Sequence, residues 1–283
     1  MTAPATELDR RHEQTIVLRP PSGWAGIGVG ELWRFRELLF FLTWRDVKVR
    51  YKQTVLGALW ALVQPFMTMV VFTIVFNRFG KIDAPVPYPV FVLTGLALWF
   101  YFTNSVNLTS NSLVSNAPLI TKVYFPRLAV AISPLLAGLV DLVLALLLVV
   151  GAMAWYGVAP GPQLVLLPFF VLLAFLTALG AGLALSALNV KYRDIRYVVP
   201  FVMQIWLYAS PVAYPSSLVH GTYRTLYSLN PMTGVIDGFR WCLLDVEAPR
   251  TGSLLVSIGA ALALVVGGAI YFARTERGFA DVI

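Results

Sequence analysis

Charge, cysteine and histidine are all scarce in this chain. Charged residues make up 12% of its 283 positions, where a soluble domain carries roughly 25%. The single cysteine, Cys242, excludes an internal disulfide, and its apolar setting favours a packed small residue over a reactive thiol. The two histidines, His12 and His220, lie far apart in the chain, so the sequence offers no histidine pair for a metal site.

The motifs of common enzymes are missing as well. The chain has no Gly-x-Ser-x-Gly elbow and no pair of carboxylates inside its apolar segments. It also lacks the Gly-x-x-x-x-Gly-Lys-Ser/Thr loop that grips nucleotide phosphates, so we expect no ATP site here. We therefore expect no catalytic residue, metal or cofactor in this chain. If it moves a solute uphill, the energy has to come from another polypeptide.

Apolar sequence, by contrast, is abundant, with hydrophobic residues at 58% of positions. It is arranged in six blocks: residues 58–77, 88–106, 128–155, 164–188, 195–214 and 254–272. Each is near or above the roughly 20 helical residues that cross about 30 Å of hydrocarbon. Because lipid offers the backbone no hydrogen bonds, such blocks form helices. The sequence predicts an all-α integral membrane protein with six transmembrane helices.

The basic residues between these blocks are unevenly distributed. In a soluble protein the net charge of +7 would suggest nucleic acid, but here the placement of the cations follows membrane topology, so we expect no nucleic-acid partner. With the N-terminus in the cytoplasm, 16 Lys and Arg lie inside and 5 outside. This agrees with the positive-inside rule and predicts that both termini are cytoplasmic.

Four regions follow from these patterns. Residues 1–30 are polar and rich in Pro and Gly, which predicts a flexible cytoplasmic segment. Residues 31–57 are predicted to form an amphipathic interfacial helix. The six-span transmembrane domain is predicted for residues 58–274, and a cytoplasmic tail for residues 275–283.

The segment 31–57 has the pattern of a helix that lies in the membrane surface. Aromatic and apolar side chains recur at helical spacing, and cations occupy another face; the two sets are Phe40, Trp44, Val47 and Tyr51, and Arg45, Lys48 and Lys52. Asp46 and Arg50 lie four residues apart, a spacing that favours an ion pair along the helix. A soluble helix packed on a partner is the alternative, but direct continuity with the first span favours the membrane surface.

Polar and small residues inside the spans carry further information. Gln64-Pro65 predicts a kink in the first span, with the amide near the bundle interior or a cavity. Asp141 is the one acid deep inside an apolar block; because a charge there costs about 2.5–3.5 kcal/mol, it should face protein or water. We favour a hydrogen bond between helices over a proton relay or a substrate contact. Gly180 and Gly182 predict a close approach of helices in the fourth span.

Two connections between spans have structure of their own. Residues 116–126, on the cytoplasmic side, are predicted to form a short helix, with Asn116 as cap and Pro126 as stop. The outer connection, residues 215–253, is unusually long and holds an amphipathic stretch at residues 235–244. Because that stretch is too short to span the membrane, we predict outer re-entrant helices between spans five and six.

Aromatic side chains are frequent in and around the spans. Most belong to interfacial belts or to helix packing. Others can line a path, because aromatic faces stack on the C–H faces of sugars. The candidates for a substrate path are Trp60, Gln64, Phe66, Tyr101, Trp206 and Tyr208.

Three stretches together resemble one family, the type-2 ABC transporter permeases that export lipid-linked polysaccharides such as O-antigen, teichoic acid and capsule. They are residues 38–57 (LLFFLTWRDVKVRYKQTVLG), which run into Trp60 and Gln64-Pro65, residues 119–127 (LITKVYFPR) and residues 230–240 (NPMTGVIDGFR). The likeness extends from about residue 31 to the C-terminus. The six-span layout with both ends inside is also the layout of that family.

The resemblance implies a homodimer in the bacterial cytoplasmic (inner) membrane, surrounded by membrane lipids and bound to two copies of a soluble ABC ATPase that hold the ATP and Mg. The substrate would be a lipid-linked polysaccharide, and spans one and five would line its conduit. A coupling helix in a groove of the ATPase would comprise Pro118, Leu119, Ile120, Thr121, Lys122, Tyr124 and Phe125. The interfacial helix at the cytoplasmic entrance would present Trp44, Arg45, Lys48, Arg50, Tyr51 and Lys52. Its cations would attract a pyrophosphate-linked lipid carrier or simply bind anionic headgroups.

Other functions remain as alternatives. The nearest is a small-lipid or drug exporter of the same architecture. A membrane-embedded glycosyltransferase would need clustered acids on a loop, whereas the outer connection balances its three acids with three arginines. An ion-coupled carrier would need more than one ionisable group in the membrane. A permease should co-purify with a soluble ATPase, and the last two classes should not.

Overall fold

The computed structural model describes residues 29–52, 59–123, 125–220 and 222–276. These residues are mostly helical and include no β-strand, which confirms the all-α fold class. Most of the predicted N-terminal segment 1–30 and tail 275–283 lies outside the described residues. So do residues 53–58 of the interfacial segment and Tyr124 of the coupling helix.

Eleven α-helices lie within the described ranges, with short turns of 3₁₀- or π-helix between some of them. In chain order they are α1 (Val29–Arg34), α2 (Arg36–Lys52), α3 (Leu59–Phe72), α4 (Tyr88–Ser115), α5 (Ala117–Lys122), α6 (Leu128–Tyr156), α7 (Leu167–Lys191), α8 (Ile195–Tyr208), α9 (Thr222–Ser228), α10 (Pro231–Leu244) and α11 (Thr251–Thr275). A π-helical stretch, Thr73–Phe79, prolongs α3, and a 3₁₀ turn, Pro162–Leu166, precedes α7. The short helices α9 and α10, with a 3₁₀ turn at Ser216–Leu218, occupy the predicted outer connection.

Within the described residues, five helices are long and apolar enough to cross a membrane: α3 with its π-helical extension, α4, α6, α7 with its 3₁₀ turn, and α11. The fifth apolar block differs, since α8 has 14 residues and a length of about 21 Å. It ends at Tyr208 because Pro211 disfavours helix at the preceding residue and cannot donate to a helix ladder. The count of six spans therefore stays a prediction.

The centre of the bundle is α4, the most buried of the five long helices, while α3 is the least buried. α7 packs against α11 and α4, and α6 packs on α4 from another side. α10 covers one end of the bundle, where α4, α7 and α11 begin, and α2 and α5 lie where these helices end. We refer to these as the α10 end and the α2 end.

Small residues bring α7 and α11 into backbone contact. A Cβ on Gly268 of α11 would lie 2.2 Å from the carbonyl oxygen of Gly180 in α7, which is far inside van der Waals contact. A Cβ on Gly182 would likewise lie 2.7 Å from the Cγ2 atom of Thr109 in α4. The close helix approach predicted from Gly180 and Gly182 is confirmed, and it follows from the packing of small residues in membrane bundles.

One boundary differs from the sequence prediction. α4 continues to Ser115, although the apolar block ends at residue 106 and the following residues are rich in Asn, Ser and Thr. The hydroxyls there bond to their own helix: Ser112 Oγ donates to the carbonyl of Thr109 at 2.7 Å. Asn189 of α7 donates its amide to the carbonyl of Ser110 at 2.9 Å. Because these hydrogen bonds form within the bundle, the helix continues here instead of giving way to a loop.

Candidate functional site

A cavity of about 640 Å³ opens between α2, α3, α4 and α6. Its wall combines aromatic rings, three side-chain amides and one ion pair. The polar and aromatic residues that line it are Arg50, Tyr51, Trp60, Gln64, Phe100, Tyr101, Asn104, Asn107 and Asp141. The chain therefore brings Trp60, Gln64 and Tyr101 of the predicted substrate path together in one space, and Gln64 faces a cavity as expected.

The other three predicted path residues lie elsewhere. Phe66 is exposed on α3 and does not line the cavity. Trp206 packs edge-on against Phe102, with ring centroids 5.3 Å apart, and its indole N–H donates to Asn230 Oδ1 at 2.9 Å. Tyr208 is exposed on α8, with its ring 6.5 Å from that of Phe72. A substrate contact at these three positions stays a prediction.

One face of α8 carries a stripe of exposed residues: Tyr197, Phe201, Gln204 and Tyr208. Their spacing of four, three and four residues places all of them on the same side of a helix. Buried Met203 lies on the opposite side. The spacing would have revealed Tyr197 and Gln204 from the sequence, but both were missed. An exposed amide in an apolar helix indicates that this face meets protein or water, because lipid cannot satisfy it.

Polar contacts fix α2 to α6. Ser133 Oγ donates to Asp46 Oδ2 at 2.7 Å, and two turns further along, Arg50 and Tyr51 both donate to the carboxylate of Asp141. Asp46 also accepts from Arg45 at 2.9 Å. Asp46 and Arg50, for which the spacing favours pairing along the helix, thus have other partners. Asp141 faces protein and the cavity, and it joins two helices, as we favoured from the sequence.

α2 has three faces where its pattern predicted two. Leu42, Asp46 and Arg50 face the bundle, and Leu42 is buried there. The aromatic residues Phe40 and Trp44 are exposed beside the cations. These exposed cations are Arg45, Lys48 and Lys52. Exposed aromatic and basic faces suit the boundary between acyl chains and headgroups, while the third face holds the helix on α6.

Arg50 differs electrostatically from the other cations of α2. Its side chain is 26% exposed and that of Asp141 is 17% exposed. Burial lowers the pKa of the Arg50 guanidinium, and the neighbouring Tyr51 and Asp46 oppose that shift. Burial also raises the pKa of the Tyr51 hydroxyl, with Arg50 opposing it. The guanidinium stays protonated, because arginine does not lose its proton in proteins.

The short helix α5 lies at the α2 end and connects α4 to α6. Asn116 stands at its cap position, but the amide donates back to the carbonyl of Ser112 in α4 at 2.8 Å and does not cap α5. Its residues divide by exposure: Pro118, Thr121 and Lys122 are exposed, Leu119 is half-buried, and Ile120 is buried together with the following Phe125. A short helix lies within the predicted stretch 116–126, but it covers only Ala117–Lys122 and ends before Pro126. One side of it is exposed and can meet another surface.

A buried arginine organises the α10 end. Arg240 of α10 is 1% exposed, and its guanidinium donates to the carbonyls of Phe91 (3.1 Å), Val212 (2.6 Å) and Pro211. The Cζ atom lies 3.7 Å from the centroid of the Phe91 ring, in cation–π geometry. A Cβ on Gly95 would lie 2.4 Å from Nη2, so the glycine leaves room for the guanidinium. Arg240 thus ties α10 to α4 and to the segment after α8.

Asn230, at the other end of α10, also joins that helix to the segment after α8. Its side-chain oxygen accepts from the backbone N–H of Met232 at 3.0 Å, which caps the helix. Its amide nitrogen donates to the carbonyl of Ala209 and to Ser210 Oγ, both at 2.9 Å. The sequence singled out residues 230–240 by resemblance. In the structure, Asn230 and Arg240, at the two ends of that stretch, both bond to the segment that follows α8.

Several residues of the site could not be anticipated. Asn104, inside the second apolar block, and Asn107, just past its end at residue 106, both line the cavity, and their spacing of three residues was the available signal. The pairing of Arg50 with Asp141 and the burial of Arg240 left no signal in the local pattern. No cluster of three His, Cys, Asp or Glu within the described ranges has the geometry to hold a metal ion.

These features define a class of protein. The described residues form a helical bundle with a short exposed helix between two long helices and a cavity lined by aromatic and polar side chains, which are features that suit a membrane transporter. The sequence model of the ABC-2 type transporter family matches residues 37–244, so the chain belongs to that family. It is the permease of a type-2 ABC exporter, a family whose permeases pair with an ATPase subunit.

Three relatives of this chain are named for the export or transport of polysaccharides. The chain is 30% identical over 258 residues to the O-antigen export system permease protein RfbA of Myxococcus xanthus, covering 90% of this chain and 98% of that protein. It is 25% identical over 248 residues to the protein of the same name from Klebsiella pneumoniae, covering 87% and 95%. It is 24% identical over 246 residues to the polysialic acid transport protein KpsM of Escherichia coli, covering 85% and 93%.

Proposed function

We propose that this permease forms a homodimer that works with two copies of a soluble ABC ATPase to export a lipid-linked polysaccharide of the O-antigen, teichoic acid or capsule type across the bacterial cytoplasmic membrane. The observation that carries the proposal is the similarity to O-antigen export permeases along nearly their whole length, 98% for the Myxococcus xanthus protein. The match covers spans, connections and short helices alike. We therefore propose that this chain exports a substrate related to that of those permeases.

The chemistry of the cavity supports a glycan substrate. Trp60, Phe100 and Tyr101 offer aromatic faces, while Asn104 and Asn107 offer amide groups for hydroxyls. The Asn107 side-chain oxygen is buried and accepts no hydrogen bond from the described residues, so a ligand hydroxyl that reached it would satisfy this acceptor. Rings with a few amides suit a ligand that has both C–H faces and hydroxyls.

A homodimer accounts for the exposed polar groups on two peripheral helices. Gln64 of α3 and Gln204 of α8 are both exposed in the single chain. An amide that faces lipid lacks hydrogen-bond partners and is costly. A second copy would turn these faces towards a shared conduit, with the α8 stripe of Tyr197, Phe201, Gln204 and Tyr208 on its wall. The aromatic rings there would stack on passing sugars.

We assign ATP-driven coupling to α5. Its buried side, Ile120, belongs to an apolar cluster with Leu42 of α2, Leu113 of α4 and Phe272 of α11. A push on its exposed side, at Thr121 and Lys122, would therefore reach several helices at once, because a close-packed cluster transmits displacement. ATP and Mg would be bound by the partner ATPase. In this scheme the α2 end and both termini are cytoplasmic.

Complementation of an export-deficient strain tests the substrate. The permease is expressed with its ATPase in bacteria that lack their own O-antigen permease, and surface polysaccharide is measured beside the lipid-linked pool inside the cell. We expect surface polysaccharide to appear with the wild-type pair and to vanish when the ATPase is inactivated. Export without ATPase activity would contradict the proposal. Transport of a small lipid or drug, with no polysaccharide at the surface, would favour the alternative exporter.

Co-purification tests the coupling helix. Lys122→Glu reverses a charge on the exposed side of α5, so we expect much less ATPase to co-purify with the tagged permease. The matched control is Lys81→Glu, since Lys81 is also exposed but lies between α3 and α4 at the opposite end of the bundle. Equal amounts of ATPase with both variants, at equal permease levels, would remove α5 from the interface.

A further inference from the structure

An ion pair lies where α2 meets the wall of the cavity. Arg50 of α2 and Asp141 of α6 bond to each other, and both line the cavity. Tyr51 donates to the same carboxylate. Asp141 therefore carries two of the three side-chain contacts described above that hold α2 on α6, the third being that between Ser133 and Asp46.

This placement distinguishes Arg50 from the exposed cations of the same helix. Lys48 lies 5.4 Å from the centroid of the Trp44 ring, and Arg45 pairs with Asp46. Neither of these cations lines the cavity. A ligand inside the cavity can reach the guanidinium of Arg50, but it finds that cation already neutralised by Asp141. An anionic ligand must compete with the carboxylate.

We propose that Asp141 is a positioning residue that holds Arg50 and Tyr51 in the cavity wall, and that a lipid-borne diphosphate displaces it from Arg50. Displacement removes the contact between Arg50 and Asp141, so α2 loosens from α6 when substrate binds. The inference rests on the proposed function, since the diphosphate is that of the substrate's lipid carrier. It makes Arg50 a ligand for the anion and Asp141 its competitor.

The two partners should then have opposite effects on apparent substrate affinity. Asp141→Asn keeps an acceptor for Tyr51 but removes the competing charge, so the half-saturating substrate concentration should fall. Arg50→Gln removes the cation, so the same quantity should rise. The expected changes are roughly two- to fivefold in each direction, the effect of one partly exposed ion pair. The measurement is ATPase stimulation by lipid-linked substrate in the permease–ATPase complex, reconstituted in nanodiscs.

A purely structural role for the pair predicts something else. Losing either partner would then weaken the same attachment, and both variants would move the half-saturating concentration in the same direction or leave it unchanged. Either result would overturn the proposal. The matched control is Arg78→Gln, which removes an exposed cation after α3, away from the cavity, and should leave the value as it is in the wild type.

A second measurement covers the case in which a variant does not fold. Hydrogen exchange of the wild-type complex is followed in α2 with added geranylgeranyl diphosphate, and separately in nanodiscs enriched in phosphatidylglycerol. Faster exchange of the amides of Arg50 and its neighbours with the diphosphate alone supports the proposal. Unchanged or slower exchange with the diphosphate overturns it. An equal effect of phosphatidylglycerol would assign the anion to the membrane and overturn the substrate role.

Polysaccharide export in the complementation strain distinguishes a failure of the proposed function from a failure of the competition between Asp141 and the diphosphate. Absence of export by the wild-type complex would defeat the proposed function itself. Normal export, together with matching behaviour of Asp141→Asn and Arg50→Gln, would defeat only the competition between Asp141 and the diphosphate.

Discussion

Two arginines join helices in different parts of this bundle, and they do so with different partners. Arg240, at the α10 end, is fully buried and donates to three backbone carbonyls. Arg50, beside the middle of α6, is partly exposed at a cavity and bonds to the carboxylate of Asp141. Backbone carbonyls of packed segments cannot be exchanged for a ligand, whereas a carboxylate at a cavity can be displaced by another anion.

An arginine bonded to buried backbone carbonyls makes a permanent contact between helices, which we call a fixed joint. An arginine paired with a displaceable carboxylate makes a contact that a ligand can break. Burial lowers the pKa of the Arg240 guanidinium to about 10, while the nearby Asp237, Tyr227 and Tyr88 oppose that shift. The guanidinium therefore stays charged at neutral pH, and three backbone carbonyls accept its hydrogen bonds. Around Arg50 the cavity leaves room for water or a ligand, so the attachment of α2 depends on what occupies it. We expect stability to depend on the first arginine and transport on the second.

Loss of the fixed joint should have the largest effect. Arg240→Met leaves three carbonyls without their donor and should destabilise the permease by about 3–5 kcal/mol, the range for removing one partner from a buried charged network. Thermal unfolding in detergent measures it. Arg240→Lys restores one charge and part of the hydrogen bonding, so its loss should be intermediate. If the methionine variant were as stable as the wild type, Arg240 would not hold the α10 end.

The second largest effect on stability is expected at the close contact between α7 and α11. Gly268→Ala places a Cβ 2.2 Å from the Gly180 carbonyl oxygen, so the helices must separate, at about 1–3 kcal/mol. Its matched control is the neighbouring Gly267→Ala, where no described atom lies within 4 Å of the added Cβ. The control should be neutral or slightly stabilising, because alanine favours helix. Equal unfolding temperatures for both variants would contradict the close crossing.

Arg50→Gln bears directly on the comparison. Because Arg50 and Asp141 are partly exposed, we expect a loss of about 1 kcal/mol in stability, well below that of Arg240→Met. Export should nevertheless fall clearly, since the cation in the cavity wall is gone. The unfolding temperature of the purified variant and polysaccharide export by cells that carry it separate the effect on stability from the effect on transport. A stability loss as large as that of Arg240→Met would show that both arginines make fixed joints.

The smallest effect is expected for the exposed cation Lys48. Lys48→Gln should leave folding unchanged and should weaken binding of the permease to anionic lipid by about 1 kcal/mol, the contribution of one cation near a membrane surface. Native mass spectrometry with phosphatidylglycerol measures the retained lipid. An export defect as large as that of Arg50→Gln would place Lys48 in the substrate path and remove the distinction between the two cations.

Much of the fold could be predicted because it depends on patterns within single segments. Hydropathy located the five long helices of the described residues. A short helix was predicted between Asn116 and Pro126, and α5 lies there, although Asn116 does not cap it and it ends at Lys122. The spacing of small residues predicted the approach of α7 at Gly180. The prediction was incomplete where polar residues continued a helix, as in α4 beyond residue 106. A run of Asn and Ser resembles a loop in the sequence, although here the serine hydroxyls bond within α4 and Asn189 of α7 bonds to the same stretch.

The candidate site was predicted less completely. Trp60, Gln64 and Tyr101 share the cavity as expected, but Phe66, Trp206 and Tyr208 do not line it. Aromatic residues occur in belts, in packing and on paths alike, and composition does not distinguish these roles. Which side of each helix faces the cavity depends on how the helices pack.

The composition of single segments predicts that the chain is a membrane protein, that its helices lie where the apolar blocks lie, and that Asp141 meets protein or water. These properties follow from the free energy of placing each segment in lipid. The contact of Asp141 with Arg50, 91 positions away, and that of Arg240 with the carbonyl of Phe91, 149 positions away, could be seen only in the folded bundle. Such pairs form only after helices have packed, and local periodicity holds no record of which faces will meet.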